Sequence, residues 1–458
     1  MFLPTQRTRQ KTRDEPADPL SLERAVRQLL AQKISGNQVG TWLLIPEHLR
    51  LGVWDLLCGW TGQITATVFP RLALQLVHEA ALCHPSLRER RTLSQKGFEV
   101  ANGLPFVASD TAIHQLLDAH TVAEAQALQI ALGKIRRASH HFRGQLLAID
   151  PHRLKSTSQR QMRRHKFHAL SKAGKVTNTF FCIDADTQEP VCFTIGTSAR
   201  TVAQATPELL QLAQTILQSP PGQTLVLADC EHFTAELVAQ VADDTPYDLL
   251  VPMPRLPGLE QQITHGAAAD FTPCWVGFAT AQRPFQFRQH PHDPPYHQWI
   301  QRSGEGSGPY DYKAFLATAD RAEVEGLSRD YPKRWHAEEF FNAHQALGWQ
   351  RAGTLNLHIR YGRMSLALVA QASLSQLRRR LGPPGSAWDA KHLAQDLLGG
   401  LEGDVRVDND QIVVTFYNAP QADRLRQHYE GLPEKLRAEG VDPRVPWLFN
   451  YELDFRFK

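Results

Sequence analysis

Two aspartates each end a short apolar run, Asp150 in LLAID and Asp229 in LVLAD. If both runs are buried strands of one α/β sheet, their carboxyl ends border the crevice in which such sheets bind ligands. A carboxylate there would be partly desolvated and would need a positive partner. A turn or helix-capping aspartate gives the same pattern, so each residue alone also fits a structural role. Together the two aspartates favour a shared site.

A third carboxylate is predicted on an amphipathic helix over residues 331–349. At 100° per residue, Tyr331 and Arg334 fall within about 40° of Glu338, so a common ligand could reach all three side chains. Glu339 lies about 100° away and is the weaker candidate. A solvent-facing Arg334–Glu338 pair on an ordinary helix would give the same pattern. The opposite face is an apolar stripe, formed by Ala337, Phe340, Phe341, His344 and Leu347.

Three carboxylates from two strands and a helix suit hard, oxygen-preferring cations such as Mg²⁺. Two such ions about 3.5–4 Å apart can hold a phosphodiester for in-line attack. One ion then activates water or a 3′-hydroxyl, and the other stabilises the leaving oxygen. We therefore expect two Mg²⁺ ions as cofactors, with Mn²⁺ as a substitute.

A strongly basic segment follows Asp150 directly. Residues 151–175 hold eight Lys and Arg residues and no acid, although the net charge of the whole chain is only +3. Such a run favours contacts with DNA phosphates, whereas a solvated loop would have the same composition. The candidate phosphate contacts are Lys155, Arg160, Arg163, Arg164 and Lys166.

Hydrophobic patterning predicts the elements that would position these residues. Helical patterning dominates up to about residue 143, and from residue 145 strands alternate with helices, which indicates an α/β core. Short β-like segments between Pro- and Gly-rich loops then indicate a β-rich insertion, and alternation around Asp408-Asn409-Asp410 indicates a hairpin. The predicted regions are a disordered basic tail at 1–19, a helical region at 20–143, the core at 144–255 and 321–382, the insertion at 256–320, and a small α+β region at 383–458.

Composition excludes several classes of protein. With 458 residues, 42% of them hydrophobic, the chain is expected to fold into several domains. It has no apolar run long enough to span a membrane, and its first residues do not resemble a secretory signal. The six cysteines form no Cys-x2-Cys pair, which argues against a zinc knuckle and for a reducing compartment. The absence of a P-loop removes any case for ATP use.

The ordered set LLAID, LVLAD and Tyr331-x2-Arg334-x3-Glu338 resembles the DDE transposases of bacterial insertion sequences. It is most similar to the class that has a β-rich insertion and the signature Tyr-x2-Arg-x3-Glu-x6-Lys. The carboxylates are 79 and 109 residues apart, and the second gap accommodates the insertion. The final lysine of the signature is replaced by Gln345, so one phosphate-binding charge is missing.

The resemblance implies an RNase H-like core, a helical DNA-binding region and a homodimer assembled on double-stranded DNA in the bacterial cytoplasm, at the nucleoid. It implies metal-dependent cleavage at transposon ends and transfer of the 3′-hydroxyl strand into target DNA. Asp150, Asp229 and Glu338 match the metal ligands of the family, and Tyr331 and Arg334 match its DNA contacts near the cut. Trp335 could stack on a displaced base, but packing under the insertion is the favoured interpretation.

Two other functions are compatible with the same residues. A non-catalytic DNA-binding descendant of a transposase would keep the fold and the basic surface, and Gln345 is the feature that favours it. A stand-alone RNase H-like nuclease would hydrolyse DNA without joining strands. The β-rich insertion and the helical region favour a transposase, because a simple nuclease needs neither.

Overall fold

In the computed structural model, the chain forms two compact units. The central unit comprises Val122–Gln345 and Trp349–Tyr361, and the terminal unit comprises the chain up to Thr121, Ala346–Gly348 and Gly362–Lys458. The structure describes residues 18–36, 38–62, 67–84, 96–156, 161–162, 164–165, 172–255, 271–288, 295–305, 310–349 and 356–458. Within these ranges no helix is both long enough and apolar enough to cross a membrane.

The N-terminal part of the terminal unit is helical, as its patterning predicts. Asp18 caps the first helix by accepting a hydrogen bond from the backbone amide of Ser21 at 2.8 Å. The helices are α1 Pro19–Leu30, α2 Ile45–Arg50, α3 Val53–Thr61, α4 Val68–Ala81, α5 Lys96–Ala101 and α6 Asp110–Asp118, with a 3₁₀ helix at Val39–Leu44. A short strand, β1 Ile34–Gly36, was not predicted. The last helix of the predicted helical region, α7 Val122–Ala138, belongs to the central unit, so the unit boundary lies near residue 121 rather than 143.

A mixed sheet forms the core of the central unit. Its first strands are β2 Leu146–Lys155, β3 Arg164–His165, β4 Gly174–Asp184, β5 Glu189–Thr197, β6 Leu225–Leu227 and β7 Asp248–Pro252. Strands β2, β4 and β5 are antiparallel neighbours, whereas β6 and β7 continue the sheet parallel to β2. This order, β5-β4-β2-β6-β7, confirms the RNase H-like core.

Helices cover one face of this sheet. Helix α8 Val202–Leu217 begins at a capping box in which the Thr201 hydroxyl accepts from the backbone amide of Gln204, and α9 Ala235–Asp244 begins at Thr234. Helix α8 packs against β4 and β5, and α7 packs on α8. On β2, Leu147 and Ile149 point into this layer, so Asp150 points to the opposite face.

The β-rich insertion extends the same sheet. Strand β11 Asp311–Ala317 pairs antiparallel with β7, and Phe315 lies opposite Pro252. The preceding strands are β8 Thr272–Trp275, β9 Phe278–Phe285 and β10 Tyr296–Ser303, which join β11 in the order β11-β10-β9-β8. The β character of the insertion is confirmed, and the pairing shows that its strands continue the core sheet.

The segment that carries Glu338 is a series of short helical pieces. It starts with α10 Glu323–Glu325, a π turn at Gly326–Asp330 and a 3₁₀ helix at Tyr331–Trp335, and continues as α11 His336–His344. The prediction of one regular helix over 331–349 is therefore wrong at both ends. Pro332 has no amide hydrogen to donate, which favours a new helical start there. The predicted apolar stripe is nevertheless buried throughout.

The C-terminal region completes the terminal unit. After α12 Leu357–Leu381 and α13 Ala390–His392, strands β12 Glu402–Asp408 and β13 Gln411–Tyr417 form the predicted hairpin. Its turn has Asn409 and Asp410 at φ 48° and 61°, the left-handed conformation that tight hairpins need. The unit ends with α14 Ala422–Tyr429, α15 Leu432–Ala438, β14 Arg444–Val445 and β15 Tyr451–Phe457. Strand β12 also pairs with β1, which joins the two predicted terminal regions in one sheet.

Candidate active site

Sheet register places Asp150 and Asp229 side by side. In the parallel pair β2–β6, Ala148 lies opposite Leu227, and each aspartate follows two residues later. Asp150 is largely buried and Asp229 is a quarter exposed. The two carboxylates therefore border one crevice, as predicted. Strand β2 continues to Lys155, however, so Asp150 lies within the strand and the prediction that it ends the strand is wrong.

Arg334 connects Asp150 with Glu338. Its Nη1 lies 3.4 Å from Oδ1 of Asp150, and its Nη2 lies 3.0 Å from Oε1 of Glu338. The third predicted carboxylate thus lies at the same crevice. Among the described residues, no three His, Cys, Asp or Glu side chains are spaced to hold a metal ion. The guanidinium of Arg334 lies between Asp150 and Glu338 instead.

The crevice raises the pKa of Asp150 to about 7. Burial is the largest cause, and the negative charges of Asp229 and Glu338 add to it, whereas Arg334 opposes it. A carboxyl with such a pKa exchanges its proton near neutral pH. Perturbed groups of this kind cluster at functional sites.

The pKa of Asp229, in contrast to that of Asp150, is lowered. Burial alone would raise its pKa, but the hydrogen bond from His232 and the backbone amide of Glu231 bring the pKa below the ordinary value. His232 Nδ1 lies 2.7 Å from Oδ1 of Asp229, and the Glu231 amide donates to the same oxygen at 3.0 Å. The two neighbouring aspartates therefore differ in how readily they ionise.

Tyr331 lies against the strand end that carries Asp229. Its hydroxyl donates to the carbonyl oxygen of Ala228 at 3.3 Å, and its ring meets the edge of Phe315 at 4.7 Å between centroids. Burial raises its pKa to about 12, so the phenol stays protonated. In a 3₁₀ helix residues i and i+3 eclipse each other, which brings Tyr331 and Arg334 onto one edge.

Three contacts fix the helical segment of Glu338 to the core, and the sequence did not point to them. Lys333 Nζ lies 2.6 Å from Oδ1 of Asp186, and a ring nitrogen of His336 donates to the carbonyl oxygen of Ala185 at 2.6 Å. The ring of His152 stacks on Phe341 at 4.5 Å. The β4–β5 turn and strand β2 thereby hold both ends of the segment.

Other predicted residues fall at less central positions. Glu339 is exposed and accepts from the Gln188 amide at 3.3 Å, which places it outside the crevice. Trp335 is 57% exposed, so the expectation that it packs under the insertion is wrong. A further aspartate, Asp184 at the end of β4, is fully buried and accepts four backbone amide hydrogen bonds, which gives it a structural role at the β4–β5 turn.

The basic segment is described in part. Lys155 ends β2 and Arg164 lies in β3, and both side chains are exposed. Arg160, Arg163 and Lys166 lie outside the described residues. Arg153, which was not singled out, pairs with Glu231 beside the crevice, and Asp150 and Asp229 act on it electrostatically. Part of the positive charge of the segment therefore faces the carboxylates.

Comparisons with known proteins identify the family. A model described as a transposase DDE domain matches residues 141–371, half of the chain, and this range contains all three carboxylates. A cryo-EM structure of a piggyBac transposase synaptic complex with hairpin DNA is similar with a TM-score of 0.42 and 11% sequence identity, over 80% of this chain and 82% of that chain. No curated protein matches. The chain belongs to the DDE transposase family and is a DNA transposase, an enzyme that cleaves DNA and transfers strands with divalent metal ions.

Proposed function

We propose that Asp150, Asp229 and Glu338 are the metal ligands and catalytic carboxylates of this transposase. The observation that carries the proposal is their convergence at one crevice, from two adjacent strands and one helix, where Arg334 contacts Asp150 and Glu338. Three carboxylates in one crevice repel each other, and the repulsion contributes to the raised pKa of Asp150. Such an arrangement is costly to fold and favours cation binding.

The donor set fits Mg²⁺, because it offers only hard carboxylate oxygens. We propose two Mg²⁺ ions, with Mn²⁺ as a substitute. Bound there, the ions would supply an activated water or 3′-hydroxyl and would stabilise the leaving oxygen. Arg334 now neutralises Asp150 and Glu338, so these side chains must exchange the guanidinium for the cation.

The DNA contacts that we propose surround this crevice. Arg334, once released, can grip a phosphate of the transposon end in two places. Tyr331 lies one helical turn away, and the exposed ring of Trp335 is available to stack on a displaced base. The phosphate contacts proposed from the basic segment are Lys155, Arg160, Arg163, Arg164 and Lys166. We further propose transposon ends and target DNA as substrates, DNA binding by the N-terminal helices, a homodimer in the DNA complex, and action at the bacterial nucleoid.

The decisive experiment is a cleavage and strand-transfer assay with the full chain, Mg²⁺ and duplex DNA that carries the ends of the element. We expect Asp150→Asn, Asp229→Asn and Glu338→Gln each to lower cleavage about 10³-fold, because a lost metal ligand costs several kcal/mol of transition-state stabilisation. Binding to the same DNA should remain nearly intact. Glu339→Gln is the matched control and should be much milder, since Glu339 lies outside the crevice.

Each alternative gives a different result in this assay. Binding without cleavage by the unmodified chain would indicate a non-catalytic descendant. Cleavage without joining would indicate a nuclease. An inactive Glu339→Gln variant together with an active Glu338→Gln variant would show that the wrong glutamate has been assigned.

A further inference from the structure

We infer that His232 is a positioning residue that orients the carboxylate of Asp229 for metal binding. The inference rests on the proposed role of Asp229 as a metal ligand and adds a residue that acts through it. The motif is Asp229-x2-His232, in which the first residue caps the 3₁₀ turn Cys230–His232 and the last residue ends it.

Both hydrogen bonds to the side-chain carboxylate of Asp229 go to one of its two oxygens. Oδ1 accepts from the Glu231 backbone amide at 3.0 Å and lies 2.7 Å from Nδ1 of His232. An ionised carboxylate can only accept, so the imidazole carries its proton on Nδ1. Within the described part of the chain, no donor lies within hydrogen-bonding distance of Oδ2. Oδ1 is thus occupied by the protein, and Oδ2 is the oxygen left to a cation.

The turn itself does not require a histidine. The Glu231 amide already supplies the hydrogen bond that a capping aspartate makes in any such turn. His232 nevertheless buries its polar ring to 2% exposure, which is costly unless the ring is well bonded. Its bond to Asp229 offsets that cost and prevents rotation of the carboxylate.

The backbone makes this orientation rigid. The His232 amide donates to the carbonyl oxygen of Asp229 at 3.1 Å, and the Thr234 amide donates to that of His232 at 2.9 Å. The turn also packs against β7 and α8. Both partners of the side-chain bond are therefore fixed, which is the arrangement by which groups outside the metal shell hold a ligand in its binding orientation.

Three substitutions separate positioning from packing. His232→Asn places an amide nitrogen where Nδ1 lies and keeps the donor. His232→Gln places the amide nitrogen where Nε2 lies, and His232→Leu leaves no side-chain donor. All three variants are made in the full chain, and each is bound to a duplex that carries the end of the element. Asp229→Asn is the reference variant. Thermal melting verifies that each variant is folded.

The first readout is cleavage of the polypeptide by Fe²⁺ with ascorbate and peroxide, which reports metal at the site without DNA chemistry. We expect His232→Gln and His232→Leu to need about 10–100 times more Fe²⁺ than the unmodified chain, and His232→Asn to need nearly the same amount. The second readout is DNA cleavage against Mg²⁺ concentration. The half-maximal concentration should rise by the same factor, while the rate at saturating Mg²⁺ recovers.

The outcomes separate this inference from the proposed function. If Asp229→Asn abolishes polypeptide cleavage near the site and His232→Gln behaves like the unmodified chain, the role of His232 is refuted and that of Asp229 stands. Equal defects in His232→Asn and His232→Gln would reduce His232 to a packing residue. If Asp229→Asn itself is cut normally, Asp229 is not a ligand and both ideas fail.

Discussion

Arg334 places one positive charge among three carboxylates. Its guanidinium contacts Asp150 and Glu338, and its charge also helps to lower the pKa of Asp229. Without a cation, this charge offsets repulsion that would otherwise destabilise the crevice. Because a guanidinium fork also matches a phosphate, the same side chain can change partners when DNA arrives.

Substitution of Arg334 by alanine should weaken binding to pre-cut transposon ends more than binding to random duplex. The loss on end DNA should be about 1.5–3 kcal/mol, the value of a charge-assisted hydrogen bond, and lysine should restore only part of it. Arg329→Ala is the matched control, since Arg329 is exposed and pairs with its neighbour Asp330. Equal losses on both DNAs, measured by titration at constant salt, would reduce Arg334 to a general positive charge.

The raised pKa of Asp150 predicts how stability depends on pH without metal. The folded state binds this proton up to about pH 7, whereas the unfolded state releases it near pH 3.8. Folding therefore loses stability as pH rises through this range. Asp150→Asn removes the titration, so its gain in unfolding free energy should be about 2–3 kcal/mol larger at pH 8 than at pH 5.

Denaturant unfolding in chelator at the two pH values measures this difference. Asp55→Asn, at an exposed position of α3, is the control and should show no such dependence. A gain for Asp150→Asn that is the same at both values would mean that the carboxyl is ionised throughout.

The three carboxylates were predictable from the sequence, but the residues that position them were not. Asp150 and Asp229 were predictable because each ends a short apolar run, and Glu338 because it opposes an apolar stripe. His232 contacts Asp229 across a 3₁₀ turn, and Arg153 pairs with Glu231, which is 78 residues away in the sequence. Neither contact leaves a periodic pattern, so nothing in the hydrophobic spacing could have shown it.

At the scale of elements, the orientation of the Glu338 segment is set by its anchors. The segment changes from π to 3₁₀ to α geometry within residues 326–344, so helical regularity alone does not fix the direction of Glu338. Lys333 and His336 attach it to the β4–β5 turn, and Phe341 attaches it to β2. These contacts determine where Glu338 lies relative to Asp150.

Breaking the Lys333–Asp186 pair should slow DNA cleavage by moving Glu338. Lys333→Met and Asp186→Asn should lower the rate by similar factors, and the double variant should be no worse than either single variant. Because the pair is only partly exposed, a coupling of about 0.5–1 kcal/mol in unfolding free energy is expected from the double-mutant cycle. Lys313→Met, on an exposed position of β11, is the control. Additive effects on rate would show that the two residues act separately.

The strands of the insertion were predictable from the sequence, but their pairing with the core was not. Alternating patterns identified its strands, but the pairing of β11 with β7 joins residues more than 60 positions apart. Such pairing depends on which sheet edge is open in the folded core, and a local pattern carries no information about it. The insertion was therefore expected as a separate region although it continues the core sheet.

At the scale of the whole molecule, the predicted regions combine into fewer units than their patterns suggested. The hairpin near the C-terminus pairs with β1, so the N-terminal and C-terminal regions share one sheet. In contrast α7, whose helical pattern continues that of the N-terminal region, belongs with the catalytic core. A helical pattern in the sequence cannot show to which unit a helix belongs, because an apolar stripe does not specify the element that packs against it.

The positive charge of the chain is concentrated in one segment. The segment 151–175 carries eight positive residues in a chain of net charge +3, and it follows Asp150 directly in the sequence. Because the segment follows Asp150 directly, we expect DNA that approaches the carboxylates to contact it. Each phosphate neutralised by Lys or Arg releases condensed counterions, so log K falls with log salt by about 0.9 per contact.

Replacement of Arg160, Arg163, Arg164 and Lys166 by glutamine should flatten that slope by roughly 3 units on duplex DNA, if three or four of them contact phosphate. Affinity at low salt should fall alike for all sequences, because phosphate contacts position DNA without reading it. The control replaces four exposed arginines of the terminal unit, Arg406, Arg437, Arg444 and Arg456, and changes net charge equally. If both variants flatten the slope equally, or neither does while melting stays normal, the segment is a solvated loop and the N-terminal helices must supply the DNA contacts.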